Sequence, residues 1–300
     1  MSITERARTR TTRKPGTDQS DHVPWWLWFS VPIVVLGCAT SVAGIFVDAV
    51  YARETSSWRA EAVGQDIANL VVLPLLLALA LGAARGSVAA YLAWLGTVVY
   101  TAYAFAIYVF AVHFGPLFLL YVAVFGLAVW ALIGGLGSVD PRRLRRCFAT
   151  TPLPRFVPSL LVLTAVVFAL LWLSEDLPAM VANKPSATLV ESGLLTNPVH
   201  VLDLSLFLPT ALLAGVFLRR GHAWGHVLAP MVLVAMAAIS AGIVSLMLVH
   251  LARGQDASLV VAAVIGLMGV VQLVTSWRFL QGLDDGARLP DTLRNRQDAR

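Results

Sequence analysis

The chain has few charged residues and no long polar segment. Only 13% of its 300 residues are Asp, Glu, Lys or Arg, about half of the fraction usual in soluble domains. The longest polar stretch, residues 1–23, is too short to build a folded domain of its own. These two shortages exclude a soluble globular protein, so the apolar 58% of the chain must carry the fold.

Cysteines and catalytic motifs are equally scarce. Cys38 falls in an apolar run and Cys147 in a polar loop, so we expect no disulfide between them. The sequence contains no phosphate-binding G-x-x-x-x-G-K-S/T loop, and it lacks the H-E-x-x-H, C-x-x-C and G-x-S-x-G motifs. No cofactor is therefore expected, and an enzymatic role is not favoured.

Long apolar runs take up more than half of the chain. Each is close to the roughly 20 residues that a helix needs to cross a bilayer. They are continuous and rich in Leu, Ala and Val, unlike the short alternating strands of a membrane β-barrel. The sequence thus predicts an all-α, polytopic transmembrane bundle of eight spans in residues 24–280, with a disordered tail at 1–23 and a second tail at 281–300. The runs are Pro24–Val47, Gln65–Ala84, Val88–Val112, Pro116–Gly137, Phe156–Glu175, Val199–Leu218, Ala223–Val249 and Ser258–Leu280.

The basic residues are distributed unequally between the two sides of this bundle. With the N-terminus on the inner side, 18 of the 22 Lys and Arg residues lie in inner segments. Because Lys and Arg resist translocation, this bias predicts cytoplasmic N- and C-termini and a cell (inner) membrane location. It also explains the basic pI without nucleic-acid binding. We expect the central inner cluster to contact anionic lipid headgroups; it consists of Arg142, Arg143, Arg145 and Arg146.

The spacing of two dipeptides indicates an internal duplication. In the second and sixth runs, a Leu-Pro pair is followed by an Arg-Gly pair, with 11 residues from the proline to the arginine in both. A long outer loop precedes each of these runs. We therefore predict a parallel 4+4 duplication with halves 24–137 and 156–280. The alternative is that the two dipeptides recur by chance in a Leu-rich chain.

Ionisable groups inside the outer half of the bilayer are the best candidates for function. Such groups are costly when they face lipid and usually face the bundle interior or a cavity. Asn197, His200 and Asp203 lie on one helical stripe, and Asp66 and Asn69 lie on another. The candidate ligand- or proton-binding set is Asp66, Asn69, His200 and Asp203.

Structural interpretations of the same residues remain open at this point. Asp66 stands at the predicted start of its run, where it would act as an N-cap. Asp203 would be satisfied by a hydrogen bond to His200 or to a tyrosine. The tyrosines of the third run would either line a polar path or pack in the core with their hydroxyls paired.

Three functional hypotheses follow. The first is a transporter or small-ligand-binding protein with an outward-facing polar site, in which protonation of Asp203 or His200 is coupled to helix rocking. The second is a membrane-embedded enzyme at the outer leaflet with a metal held by His113, His200 and His250. The third is a non-catalytic sensor or assembly subunit that works through the Arg142–Arg146 loop or the tails.

Several stretches resemble a group of bacterial multi-pass inner-membrane proteins with no established activity. The resemblance covers most of the second to seventh runs, and it implies an inner-membrane protein without supplying a catalytic residue. It rests on Ala60–Asp66, on Tyr103–Phe105 through Phe118–Tyr121, and on Thr196–Asp203.

Overall fold

A computed structural model describes residues 24–148, 155–284 and 286–293. The predicted tail at 1–23 lies outside the described residues, as do residues 294–300. The predicted all-α bundle is confirmed, since the described residues contain eight helices that are long and apolar enough to cross a membrane. The chain is thus an integral, multi-pass membrane protein. Spans 1 to 8 are Trp25–Phe46, Ser56–Ala84, Val88–Ala111, Phe118–Ser138, Val157–Val181, Pro198–Arg219, Gly225–Ala252 and Leu259–Leu280.

Span 2 begins nine residues before its predicted start. Thr55 is its N-cap, with the side-chain oxygen accepting a hydrogen bond from Trp58 N, which satisfies one of the free donors at a helix start. Asp66 is therefore not an N-cap and instead lies well inside the helix. The extra residues carry Arg59 and Glu61, whose charges lower the local hydropathy and hide the helix from a search for apolar runs.

Spans 2, 3 and 7 form the centre of the bundle. Span 3 is the most enclosed, with 72% of its membrane window buried, and span 7 packs against both of the others. Small residues allow these helices to approach closely. A Cβ on Gly64 would collide with the backbone of Leu246, and one on Gly96 would lie 2.6 Å from the carbonyl oxygen of Met231.

The packing of the first four spans recurs in the last four. Spans 1 and 2, 2 and 3, and 3 and 4 are in contact, and so are their counterparts 5 and 6, 6 and 7, and 7 and 8. Spans 2 and 6 also end in the same way, on Gly86 with φ 92° and Gly221 with φ 64°, the left-handed conformation that glycine adopts without strain. The repeat agrees with the predicted duplication, which stays a prediction.

The two halves differ at one place. Span 1 packs against span 4, whereas no packing of comparable extent joins spans 5 and 8. Span 5 is held mainly by span 6, and span 8 by span 7. The second half is therefore more open than the first, and a gap separates spans 5 and 8.

Short segments cover the two ends of the bundle. At the basic end, which carries Arg142–Arg146, the chain after span 8 folds back, so that Asp140 N donates to Thr292 O at 2.9 Å. This part of the predicted C-terminal tail is thus ordered against the bundle. At the opposite, far end, the short helix Ala187–Ser192 is tied to span 2 by a 3.2 Å hydrogen bond from Thr55 Oγ1 to Ser192 O.

Candidate functional site

A central cavity of about 390 Å³ lies between spans 2, 3, 5, 6, 7 and 8. Its wall is mostly apolar, with a small number of polar side chains, the composition typical of small-molecule sites. It extends from the middle of the bundle toward the far end. The polar groups on its wall are Glu61, Gln65, Tyr100, Tyr103, Tyr108, Thr164, Asp203, Ser240 and Gln272, together with the indoles of Trp58 and Trp172.

Asp203 is a carboxylate on this wall and is held by two neighbouring spans. Tyr103 of span 3 donates its hydroxyl to Oδ1 at 3.0 Å, and Trp172 of span 5 donates Nε1 to Oδ2 at 2.7 Å. The side chain is 7% exposed, so burial of the charge is compensated by both donors. The sequence left open whether Asp203 serves a binding site or a structural hydrogen bond. The structure shows a hydrogen bond to a tyrosine, and it also places Asp203 on the cavity wall.

The backbone at Asp203 departs from a regular α-helix. Residues Asp203–Phe207 form a π-helical turn in which Leu208 N donates to Asp203 O. Pro209 follows and cannot donate to the preceding turn, so the wider turn carries the chain into the rest of span 6. Such π-turns often occur at functional sites. Here the turn places Phe207 and Leu208 on the cavity wall beside Asp203.

His200 lies one turn from Asp203 but has a different partner. Its Nδ1 is 2.9 Å from Asp176 Oδ1 at the end of span 5, and its ring stacks on Trp172 with centroids 4.4 Å apart. Trp172 therefore contacts both residues. His200 is buried and lines a smaller chamber next to the cavity.

Glu61 is a site residue that the sequence analysis did not single out. It lines both the central cavity and the smaller far chamber of about 160 Å³. It has no hydrogen-bonding partner in the part of the chain that the structure describes. Trp58, Glu61 and Gln65 follow an i, i+3, i+7 pattern, which places them on one face of span 2. That stripe was the available signal, but it falls mostly before the predicted start of the helix.

Asp66 and Asn69 lie in a second polar cluster, between spans 1, 2 and 3. Asp66 is 1% exposed and accepts hydrogen bonds from Tyr51 and Tyr108, both at 2.8 Å. Burial beside this carboxylate raises the pKa of Tyr51 well above its ordinary value, so the Tyr51 hydroxyl stays protonated and donates. Gly44 packs directly against Asp66 and leaves no room for a side chain.

A chain of amides and hydroxyls joins this cluster to the cavity. Asn69 Nδ2 donates to Tyr108 at 3.4 Å, and Asn69 Oδ1 accepts from Tyr100 at 3.0 Å and from Gln65 at 3.1 Å. Gln65 also donates to Tyr100 at 2.6 Å. Thus the predicted set is split: Asp203 lies on the cavity wall, His200 in the adjacent chamber, and Asp66 and Asn69 behind the wall.

Gln272 and Ser240 lie on the part of the cavity wall that faces the basic end. Ser240 of span 7 donates to Gln272 Oε1 of span 8 at 3.2 Å, and both residues line the cavity. One turn further along span 8, Thr275 and Ser276 are buried and are not part of its wall. The cavity wall on span 8 therefore ends at Gln272.

The three histidines of the metal hypothesis are not brought together. His113 binds Glu54 through both its backbone N, at 2.8 Å, and Nδ1, at 2.9 Å, while His200 binds Asp176. No group of three or more His, Cys, Asp or Glu side chains that could hold a metal ion occurs within residues 24–148, 155–284 and 286–293. His113, His200 and His250 therefore do not form a shared site in the described chain.

An arginine-lined bowl of about 1190 Å³ lies at the basic end. The short helix Pro141–Arg146 supplies four of the arginines, and Asp140 caps its start by accepting from Arg142 N and Arg143 N. Arg143 is engaged by Asp140 and by the carbonyl of Leu293. The arginines of the bowl are Arg142, Arg143, Arg145, Arg146, Arg155 and Arg219.

Comparisons of the chain with family models, with curated proteins and with solved structures found no match.

Proposed function

We propose that this protein is a transporter-like or ligand-binding membrane protein whose central cavity binds a small, largely apolar molecule with a cationic group. The observation that supports this most directly is the presence of two carboxylates, Asp203 and Glu61, on a wall whose other residues are apolar or carry no charge. No Lys, Arg or His of the described chain lines that cavity. Intramembrane carboxylates that face a cavity commonly mark substrate or ion pathways.

The apolar wall selects the body of the ligand, and the carboxylates select its polar group. Ile239, Ile243 and Met268 offer aliphatic contact in the middle of the bundle. Trp58 and Trp172 place indole rings beside Glu61 and Asp203, and aromatic faces attract cations. A neutral polar ligand would leave the carboxylates without a counter-ion, and an anion would be repelled.

Protonation of Asp203 would couple this site to helix movement. Its two oxygens connect span 6 to spans 3 and 5 through Tyr103 and Trp172. A neutral carboxyl holds donors less strongly than a carboxylate does, so protonation weakens both connections at once. We therefore propose that proton exchange at Asp203 allows spans 5 and 6 to rock. His200, one turn away, is a second group that can exchange a proton.

A matched pair of probe ions tests this proposal. Tetraphenylphosphonium and tetraphenylborate have the same shape and opposite charge. We expect the purified protein to bind the cation about tenfold or more tightly than the anion, measured by equilibrium dialysis and by quenching of tryptophan fluorescence. Met268→Trp fills the cavity and should weaken cation binding about tenfold or more.

Leu267→Trp is the control, because Leu267 is adjacent in sequence, exposed to lipid and not on the cavity wall. It should bind the cation as the unmodified protein does. The proposal fails if the unmodified protein binds neither ion, if it prefers the anion, or if the Met268 and Leu267 variants bind alike.

We also propose that the basic end faces the cytoplasm of the cell (inner) membrane, with both termini on that side, and contacts anionic headgroups. The bowl concentrates six arginines at one end, and each basic group near an anionic surface contributes about 1 kcal/mol to attraction. Arg142, Arg145 and Arg146 are exposed, whereas Arg143 already binds Asp140.

Replacing those three exposed arginines by glutamine should reduce the amount of bound phosphatidylglycerol. The count of phosphatidylglycerol molecules retained in native mass spectrometry measures this, with Arg253→Gln at the far end as the control. Equal retention by the triple variant and the control would contradict the headgroup contact. We expect no change in tetraphenylphosphonium binding, since these arginines lie outside the central cavity.

A further inference from the structure

The central cavity reaches the side of the bundle. Its wall includes residues of both span 5 and span 8, which lack the packing that joins their counterparts, spans 1 and 4. Each is an outer helix of the bundle with only 22% of its membrane window buried. The gap between them therefore joins the cavity to the space that lipid occupies.

Two residues on the edges of this gap line the cavity and are also open to the surroundings. Leu171 on span 5 is 51% exposed, and Val261 on span 8 is 47% exposed. Their neighbours Leu170 and Val260 are exposed but do not line the cavity. Leu171 and Val261 thus form the two sides of an apolar doorway, and Val261 lies near the far end of its span.

The carboxylates and the apolar residues of the cavity lie at different depths. Glu61 and Asp203 are each five residues from the far-end start of their spans, which is about 7 Å at 1.5 Å per residue. Met268 is nine residues from the start of span 8, or about 14 Å deep. A molecule with its charged group at the carboxylates and its apolar part toward Met268 has the orientation of a lipid in the leaflet at the far end.

We infer that the ligand is a membrane-borne amphiphile with a cationic headgroup, and that it enters sideways from the far-end leaflet between spans 5 and 8. This inference rests on the proposed binding function and adds the source and route of the ligand. The alkyl chain passes between Leu171 and Val261, whose side chains are apolar and exposed on the outside of the bundle. The headgroup moves along the interface to Glu61, which has no hydrogen-bonding partner among the described residues.

The doorway is tested by narrowing it without filling the cavity. In Leu171→Trp/Val261→Trp, two indoles face each other across the gap. The probes are hexadecyltrimethylammonium, delivered from phosphatidylcholine vesicles to protein reconstituted in the same lipid, and water-soluble butyltrimethylammonium. Stopped-flow quenching of tryptophan fluorescence gives the association rates. We expect the variant to slow the hexadecyl probe by about tenfold or more relative to its effect on the butyl probe.

Leu170→Trp/Val260→Trp is the matched control, since it adds the same two rings at adjacent positions that face only lipid. It should leave both rates unchanged. Sideways entry is overturned if the Leu171/Val261 variant binds the hexadecyl probe as fast as the control does. It is also overturned if Thr188→Trp in the far chamber slows the hexadecyl probe instead, which would indicate entry from water. Failure of the unmodified protein to bind either probe at equilibrium would refute the binding function itself, and so is distinguishable from failure of the route.

Discussion

Asp203→Asn is expected to abolish binding of tetraphenylphosphonium while the protein still accumulates in the membrane. The asparagine oxygen accepts from Trp172 Nε1, and its amide donates to the Tyr103 hydroxyl, which can accept as well as donate. The hydrogen bonds that hold spans 3, 5 and 6 are thereby kept. The negative charge is lost, and removing one partner of a desolvated charge pair costs about 2–5 kcal/mol, or about 30-fold or more in affinity.

The measurement combines probe affinity with the yield of folded monodisperse protein in detergent. Asp176→Asn is the matched control, because Asp176 lies close by at the end of span 5 but lines neither chamber. It should bind the probe normally. Loss of folded Asp203→Asn protein would show that the carboxylate is needed for the fold, and unchanged affinity would show that it does not contact the ligand.

Hydropathy was sufficient to predict the bundle and its eight spans, because crossing a membrane imposes a length and a composition that each helix must satisfy independently. The start of span 2 was missed for the same reason. Residues Ser56–Gly64 are in a helix but carry Arg59 and Glu61, and most of the remaining residues are buried within the protein. A helical segment that packs against protein instead of lipid can contain charged residues, so its sequence need not have high hydropathy.

The grouping of the polar residues was less accessible from sequence. Helical spacing put Asp203 and His200 on one stripe, yet Trp172 separates their roles by donating to one and stacking on the other. Tyr103 reaches Asp203 across 100 residues of sequence. Such contacts depend on how the spans rotate and cross, which side-chain spacing within a single helix does not determine. For this reason Asp66 and Asp203, equivalent candidates by composition, came to lie on opposite sides of the cavity wall.

The second large effect is expected at Asp66, where we predict a loss of stability from Asp66→Ala. The change removes the acceptor of the Tyr51 hydroxyl and leaves the Tyr108 hydroxyl with only a long, 3.4 Å contact to Ala62 O, at a cost of roughly 1–3 kcal/mol for each hydroxyl that loses its bond. That sum is a large part of the stability of most proteins. Thermal unfolding followed by size-exclusion chromatography should show a markedly lower midpoint than for the unmodified protein, and a midpoint unchanged within error would contradict a structural role.

Gly44 supplies a stricter test of the same contact. A Cβ at this position would collide with the Asp66 carboxylate and lie 2.7 Å from the Tyr51 hydroxyl oxygen, so Gly44→Ala alone should also destabilise the protein. Gly126→Ala, where a Cβ meets nothing within 4 Å, is the control and should be neutral or slightly stabilising. In the double variant Gly44→Ala/Asp66→Ala, the new methyl occupies space that the carboxylate has vacated. Its loss of stability should therefore be smaller than the sum of the two single losses. Strict additivity would mean that the steric contact between spans 1 and 2 is not what fixes Asp66 behind the cavity wall.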